Sequence, residues 1–234
     1  MIPKVIDEWE ERWKRNLSVE ASCIVCRTEY EGNPFKKEDK ISCPICKERK
    51  QKEYEEQYLK DHIQEYMEKA GVPKRLLDSQ DTRNITGFIT GPAGVGKSWI
   101  AAAMVRKALL AHQKVRFIPI TKLLRTIRDS FSDKGNINWQ DEDNLGSTDS
   151  EIIEKLLRFD LLVLDDLGAE KTTDFAKQAI YEIIDGRYQA MKDTIITSNL
   201  SLQDISARFD DRIASRIAGM GKILKLTGKD RRLS

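Results

Sequence analysis

The side chains with the clearest chemistry are Lys97 and Ser98, which close a glycine-rich loop of the pattern G-x-x-x-x-G-K-S. An apolar run at residues 85–90 predicts a strand before the loop, and residues 99–111 predict a helix after it. In this context backbone N–H groups point at a polyphosphate, at the positive end of the helix dipole. The pattern therefore predicts a nucleoside triphosphatase core.

Within this loop we expect Lys97 to reach the β- and γ-phosphates of ATP and Ser98 to bind Mg²⁺. A glycine-rich turn that binds nothing is the alternative. The predicted nucleotide-binding residues of the loop are Gly91, Pro92, Ala93, Gly94, Val95, Gly96, Lys97 and Ser98.

Two adjacent carboxylates end a second apolar run, residues 160–166, which predicts a buried strand. Asp165 is expected to hold Mg²⁺ through water, and is therefore counted with the nucleotide-binding residues. Asp166 would orient or deprotonate the attacking water. The alternative is a solvated turn.

Further candidates lie after the next apolar strand. Asn199 could bind the γ-phosphate or the water, although a helix cap is the alternative for an asparagine there. Arg212 and Arg216 are four residues apart and share a helical face. An arginine supplied to a neighbour's γ-phosphate accelerates hydrolysis, but the spacing alone favours ion pairs with Asp210 or Asp211.

Four cysteines near the N-terminus form two C-x-x-C pairs, a spacing typical of a four-thiolate zinc site. Zinc held in this way would be structural, because no position is left for water. Four unrelated thiols are the alternative. Residues 27–42, between the pairs, predict a polar loop. The predicted zinc ligands are Cys23, Cys26, Cys43 and Cys46.

The chain has 234 residues, and 40 Lys and Arg nearly balance 38 Asp and Glu, so any contact with nucleic acid must be local. A long apolar run and a signal peptide are both missing from the sequence, which predicts a cytoplasmic protein without membrane contact.

The first seventy residues read as an N-terminal module. An apolar stripe with Trp9 and Trp13 predicts an amphipathic helix that packs on its own module or on another protein. Residues 47–70 predict a charged helix, and its basic run could touch phosphates or be a solvated face. We expect a domain boundary near Gly71, which gives domains at 1–70 and 71–234. The stripe comprises Ile2, Ile6, Trp9, Trp13 and Leu17, and the basic run Lys47, Arg49, Lys50 and Lys52.

From Asn84 onward, predicted strands and helices alternate, which indicates an α/β fold with a parallel sheet covered on both faces. The predicted strands are 85–90, 115–120, 160–166, 194–197 and 223–226. The predicted helices are 99–111, 123–131, one that ends at 159, 175–191 and 202–218, with a polar insertion at 132–150.

The segments GPAGVGKS, LLVLDDLGAE, TIITSN and DRIASRI, in this order, resemble the AAA+ ATPases of the DnaC-type helicase loaders and the related IstB transposition helpers. The resemblance covers about residues 71–234. It implies that Asp165 and Asp166 are the Walker B pair, that Asn199 is sensor 1 and that Arg216 is an arginine finger acting in trans. It also implies a fold without the C-terminal lid domain of most AAA+ proteins.

The resemblance implies an ATP-dependent DNA replication helicase loader. Its N-terminal module would bind a hexameric replicative helicase, its AAA+ domain would bind single-stranded DNA, and it would self-associate with ATP. An IstB-like helper that binds duplex DNA and a transposase is the main alternative. A small-molecule kinase and a non-hydrolysing zinc adaptor are less favoured.

Initiator-type AAA+ proteins resemble one another in carrying a helical insertion where this chain has residues 121–155. Lys122, Arg125 and Arg128 could bind phosphates there, and Phe131 could stack on a base. The far half of the segment is acidic, so a solvated surface is the alternative.

Overall fold

The computed structural model describes residues 19–23, 25–32, 43–130 and 148–231. The chain forms two units, Met1–Asp61 and His62–Ser234. This division lies before the boundary expected near Gly71. The residues between His62 and Gly71 belong to the second unit because they are hydrogen-bonded to it: the Phe117 N–H donates to the Ala70 carbonyl oxygen at 2.7 Å. The predicted N-terminal amphipathic helix lies outside the described residues.

The first unit contains an antiparallel hairpin, β1 (Val19–Ser22) and β2 (Glu29–Gly32), followed by helix α1 (Pro44–Asp61). The prediction of a loop throughout residues 27–42 was therefore wrong at β2. A hairpin strand gains its ladder bonds from the partner backbone, so a polar sequence can form one. Among the residues of α1, only Cys46 and Leu59 are buried.

The second unit is built on a five-stranded parallel sheet, as the alternation of elements predicts. Its strands are β3 (Gly87–Thr90), β4 (Val115–Pro119), β5 (Leu161–Leu167), β6 (Asp193–Ser198) and β7 (Lys222–Lys225), in the spatial order β4-β5-β6-β3-β7. The helices are α2 (Ile63–Lys69), α3 (Lys97–Leu110), α4 (Ile120–Ser130), α5 (Asp149–Arg158), α6 (Asp174–Gln189), α7 (Leu202–Arg208) and α8 (Asp211–Gly219).

The core explains why the central strands read as continuous apolar runs. Residues 161–165 of β5 are all buried, as are residues 87–90 of β3, because helices cover both faces of a parallel sheet. α4, α5 and α6 contribute Leu123, Ile152 and Ile183 to one apolar cluster with these strands. The carboxyl ends of β3, β5 and β6 are thereby held side by side.

Two predicted helices are interrupted. The expected helix at 47–70 divides at His62, between α1 and α2. The expected helix at 202–218 divides into α7 and α8, because the Asp210 side chain accepts a hydrogen bond from the Arg212 N–H and starts a new helix. The apolar spacing continues across the second break, with Phe209 and Ile213 both buried, so periodicity did not reveal it.

In the described part of the chain, no helix has both the length and the apolar character needed to span a membrane.

Candidate active site

The glycine-rich loop leaves β3 at Thr90 and enters α3 at Lys97. Gly94 (φ 74°) and Gly96 (φ 101°) adopt the left-handed conformation that glycine tolerates best. A Cβ on Gly94 would also collide with the Asp230 carboxylate. The tight turn therefore requires glycine, and it places the loop at the N-terminus of α3, where an anion is stabilised.

Lys97 is buried at the loop. Its ammonium donates to the carbonyl oxygens of Gly91 at 2.8 Å and Pro92 at 2.7 Å, and to Asn199 Oδ1 at 2.5 Å. The last bond links the loop to the end of β6. The cation is thus held by oxygen atoms at the meeting point of two strands.

Asp165 lies at the end of the buried part of β5 and receives two hydroxyl groups. Ser98 Oγ and Thr197 Oγ1 each donate to Asp165 Oδ1 at 2.7 Å. Burial raises the pKa of Asp165, and the hydrogen bonds from Thr197 and Ser98 oppose that shift. Ser98 and Asp165 together offer the hard oxygen ligands that suit Mg²⁺.

Asp166 adopts a left-handed backbone conformation, with φ 62°. Its backbone N–H donates to Thr197 Oγ1 at 2.9 Å, and Asn199 Nδ2 donates to its Oδ1 at 3.3 Å. Asn199 therefore contacts Lys97 through its amide oxygen and Asp166 through its amide nitrogen. It does not cap the next helix, because Ser201 caps α7 in a capping box with Asp204.

These groups line a cavity of about 580 Å³ in the second unit. Sequence reasoning missed four of its lining residues, which come from the turn before β3, the start of α3 and the segment after β7. Only Trp99 has a local signal, because it directly follows the loop; the others approach through the tertiary fold. The four missed residues are Arg75, Leu76, Trp99 and Arg231.

The two arginines of α8 make different ion pairs. Arg212 binds Asp210, one of the two acids expected from the spacing, at 3.0 Å. Arg216 instead binds Asp185 of α6, with 2.7 Å between Nε and Oδ1, and does not line the cavity of its own chain. The sequence could not reveal this pair, because Asp185 is distant in sequence and meets Arg216 only where α6 packs on α8.

The segment predicted to bind DNA is described only in part. Lys122, Arg125 and Arg128 are exposed on α4, and the Arg128 guanidinium carbon lies 5.8 Å from the centre of the Phe175 ring. Phe131 and the acidic half of the segment lie outside the described residues.

The four predicted zinc ligands cluster in the first unit. Their sulfur atoms all lie within 4.8 Å of one another, with Cys26 Sγ and Cys43 Sγ 3.6 Å apart, and all four are free thiols. A tetrahedral zinc with Zn–S distances of about 2.3 Å separates its sulfur ligands by about 3.8 Å, so the cluster fits the ion.

Electrostatics within this cluster also favour a cation. Hydrogen bonds from the backbone of Cys43 and Cys26 lower the pKa of Cys23 to about 6. Hydrogen bonding with the Cys26 thiol, together with burial, raises the pKa of Cys46 to about 12. Closely placed thiols cannot all ionise unless a positive ion compensates their charge, and zinc binds the thiolate form.

The loop at the start of α3, the carboxylate pair at the end of β5 and the polar end of β6 define a P-loop protein of the AAA+ type. The sequence profile of IstB-like ATP binding proteins matches residues 76–232. The chain belongs to this family, which includes the DnaC-type loaders.

The curated relatives support this assignment. The replicative helicase loader DnaC of Escherichia coli K12 is 26% identical over 135 residues, which cover 57% of this chain and 51% of the relative. The DnaC of Buchnera aphidicola subsp. Baizongia pistaciae is 25% identical over 179 residues, which cover 74% and 68%. The chain thus spans about half the length of the first of these relatives.

Solved structures agree on the fold. A crystal structure of the DnaC helicase loader superposes with a TM-score of 0.50 at 28% identity, covering 60% of this chain and 77% of that one. The replication initiator DnaA bound to AMPPCP and single-stranded DNA gives 0.51 at 20% identity, covering 61% and 40%. The second likeness concerns the fold alone.

Proposed function

We propose that this protein is an ATP-dependent loader of a hexameric replicative DNA helicase. The observation that carries the proposal is the joining of Lys97, Asn199 and Asp166 by hydrogen bonds in one cavity, with Ser98 and Asp165 beside them. This is the set of groups that ATP hydrolysis needs, and the curated relatives that share this domain are named helicase loaders.

ATP and Mg²⁺, when bound, supply the scissile phosphoanhydride bond and the divalent charge. Lys97 and the loop N–H groups hold the phosphates, and Ser98 and Asp165 hold the ion. Asp166 accepts a hydrogen bond from the attacking water and orients it in line with the γ-phosphorus. Asn199 touches both Lys97 and Asp166, so it can report the presence of the γ-phosphate to both.

Arg216 completes the site of a neighbouring subunit as an arginine finger. Its position outside its own cavity favours this role over one within a single chain. Self-association then depends on ATP, because the nucleotide lies between two subunits.

The N-terminal module, residues 1–70, binds the helicase, and the AAA+ domain binds single-stranded DNA. Zinc held by the four cysteines gives the module its fold, and supports helicase binding without taking part in hydrolysis.

The test is loading of the helicase onto a circular single strand of DNA, which has no free end for the helicase to slide onto. A forked substrate on circular single-stranded DNA is incubated with the purified replicative helicase of the same organism, with and without this protein. Unwinding that requires both this protein and ATP, and that Lys97→Ala protein does not support, is the expected result. Unwinding at the same rate without the protein would contradict the proposal.

An IstB-like transposition helper is the second candidate, since the matching profile carries that description. It predicts ATP-dependent binding to duplex DNA and to a transposase. Preference for duplex over single-stranded DNA, together with no stimulation of helicase loading, would favour it.

A further inference from the structure

Arg216 is held by two side chains of α6. Asp185 Oδ1 accepts from Arg216 Nε at 2.7 Å, and the guanidinium carbon lies 4.7 Å from the centre of the Tyr188 ring. The Arg216 side chain remains 37% exposed, whereas that of Asp185 is 15% exposed. One edge and one face of the guanidinium are therefore occupied by its own chain.

The other edge of this guanidinium is available. Nε is the only Arg216 nitrogen that makes a hydrogen bond within the described residues. The two terminal nitrogens are the pair that forms a fork with phosphate oxygens. Asp185 binds the arginine in a way that leaves this fork unused.

Arg212, one turn earlier on α8, provides an internal comparison. It donates through both Nε and Nη2 to the two oxygens of Asp210, at 3.0 Å each, and stacks on Tyr181 at 4.8 Å. Asp210 thus occupies one of the two terminal nitrogens of Arg212. Both arginines pair with an acid and a tyrosine, but only Arg216 keeps both terminal nitrogens for another partner within the described residues.

The acid itself is held in place. Asp185 Oδ2 accepts from Gln189 Nε2 at 2.5 Å, one helical turn along α6, while Oδ1 binds Arg216. Asp185 therefore uses both oxygens, and its orientation is fixed by α6. Tyr188 is restrained as well, because it packs against Gly219 at the end of α8, where an added Cβ would come within 2.8 Å of its ring.

We propose that Asp185 and Tyr188 are positioning residues that pre-orient Arg216 toward the γ-phosphate of ATP bound by a neighbouring subunit. The inference rests on the proposed trans-acting role of Arg216. A long arginine side chain loses much conformational freedom when it is fixed, and the two α6 residues impose that loss before the subunits meet. The benefit falls on the hydrolytic step, since the fork contacts charge that develops in the transition state.

The experiment measures kcat and KM for ATP with the full chain at protein concentrations that saturate assembly. The variants are Asp185→Asn, Asp185→Glu, Arg216→Ala and the double variant Asp185→Asn/Arg216→Ala, with Arg212→Ala as the matched control. Asp185→Asn is expected to lower kcat about ten- to a hundredfold with KM unchanged, because misplaced groups cost that much. Asp185→Glu should restore part of the loss, and Arg212→Ala should retain kcat.

The double variant tests whether Asp185 acts through Arg216. If it does, the double variant is no slower than Arg216→Ala alone, since the two effects are not additive. An additional loss in the double variant, or an Asp185→Asn protein with the kcat of the wild type while Arg216→Ala is inactive, would overturn the inference. If Arg216→Ala itself retains full kcat, the proposed trans-acting role of Arg216 is wrong, and the positioning role that rests on it is wrong as well.

Tyr188→Leu provides a second variant should Asp185→Asn not fold. It removes the ring under the guanidinium but keeps an apolar contact for Gly219. A lowered kcat with unchanged KM and melting temperature supports the positioning role. A melting temperature that falls while kcat per folded protein stays at the wild-type value contradicts it.

Discussion

The nucleotide cavity and the cysteine cluster both join side chains that are distant in sequence, yet the surroundings that hold them differ. The cavity lies at the ends of β3, β5 and β6, whose residues pack into a large apolar cluster. Around the thiols, the buried cluster within the described residues consists of Cys23, Cys43 and Cys46 themselves. The first site is positioned by a hydrophobic core, whereas we expect the second to depend on a bound metal ion for folding free energy.

Removal of zinc should sharpen this contrast most. Structural zinc contributes roughly 10–16 kcal/mol in small metal-dependent folds, so a zinc-selective chelator is expected to unfold the part of the chain near residues 20–50. Hydrogen exchange should lose protection there and remain unchanged in β3 and β5, with ATP hydrolysis preserved once Mg²⁺ is present.

The matched control is Cys23→Ser protein, which should behave like the chelated wild type. Elemental analysis that finds no zinc in protein purified without chelators would refute this expectation.

Two substitutions at the cavity separate binding from chemistry. Lys97→Ala should abolish ATP binding, because it removes the charge that faces the phosphates, whereas Asp166→Asn should bind ATP and lose hydrolysis. A fluorescent ATP analogue measures binding, and phosphate release measures turnover. Equal loss of binding in the two variants would be inconsistent with the assigned roles.

Substitution of Asp165 should show that burial of its carboxylate lowers the free energy of unfolding. Burial raises the pKa of this carboxyl, so its ionised form is disfavoured in the folded state. Asp165→Asn keeps an oxygen for Ser98 and Thr197, and is expected to raise the melting temperature by about 2–4 °C for each kcal/mol gained while it abolishes Mg²⁺-dependent hydrolysis.

The sign of this effect depends on pH. Below the ordinary carboxyl pKa, near 3.9, Asp165 is neutral in both states and the variant gains nothing. The gain grows as pH rises toward the raised pKa and is complete above it. A lower melting temperature for Asp165→Asn at neutral pH would contradict the argument.

The smallest expected effect concerns DNA. Arg125→Ala/Arg128→Ala protein should bind a labelled single strand more weakly with ATP present, and the slope of log K against log salt should fall in magnitude by about 1.4 for two lost phosphate contacts. Anisotropy titrations measure both, with Lys171→Ala/Lys177→Ala as the control. An unchanged affinity and slope would leave α4 as a solvated surface.

The sequence could predict site residues that lie on consecutive elements, but not residues that only the packing of distant segments brings together. Lys97 and Ser98 could be predicted because a strand, a loop and a helix that follow one another fix their positions, and Asp165 because it lies near the end of an apolar strand. Arg75 and Arg231 reach the cavity from separate segments, and no local pattern marks them. Likewise Asp210 is visible as a partner for Arg212, but the pairing of Arg216 with Asp185 depends on how α8 packs on α6.

Mixing two inactive proteins tests most directly whether hydrolysis is completed between subunits. Arg216→Ala protein keeps its own carboxylates but cannot donate a finger, and Asp166→Asn protein donates a finger but cannot use one. We predict that a mixture hydrolyses ATP faster than the sum of its parts, because some interfaces then combine an intact Asp166 with a neighbour's Arg216. A mixture no more active than its separate components would contradict a finger acting in trans.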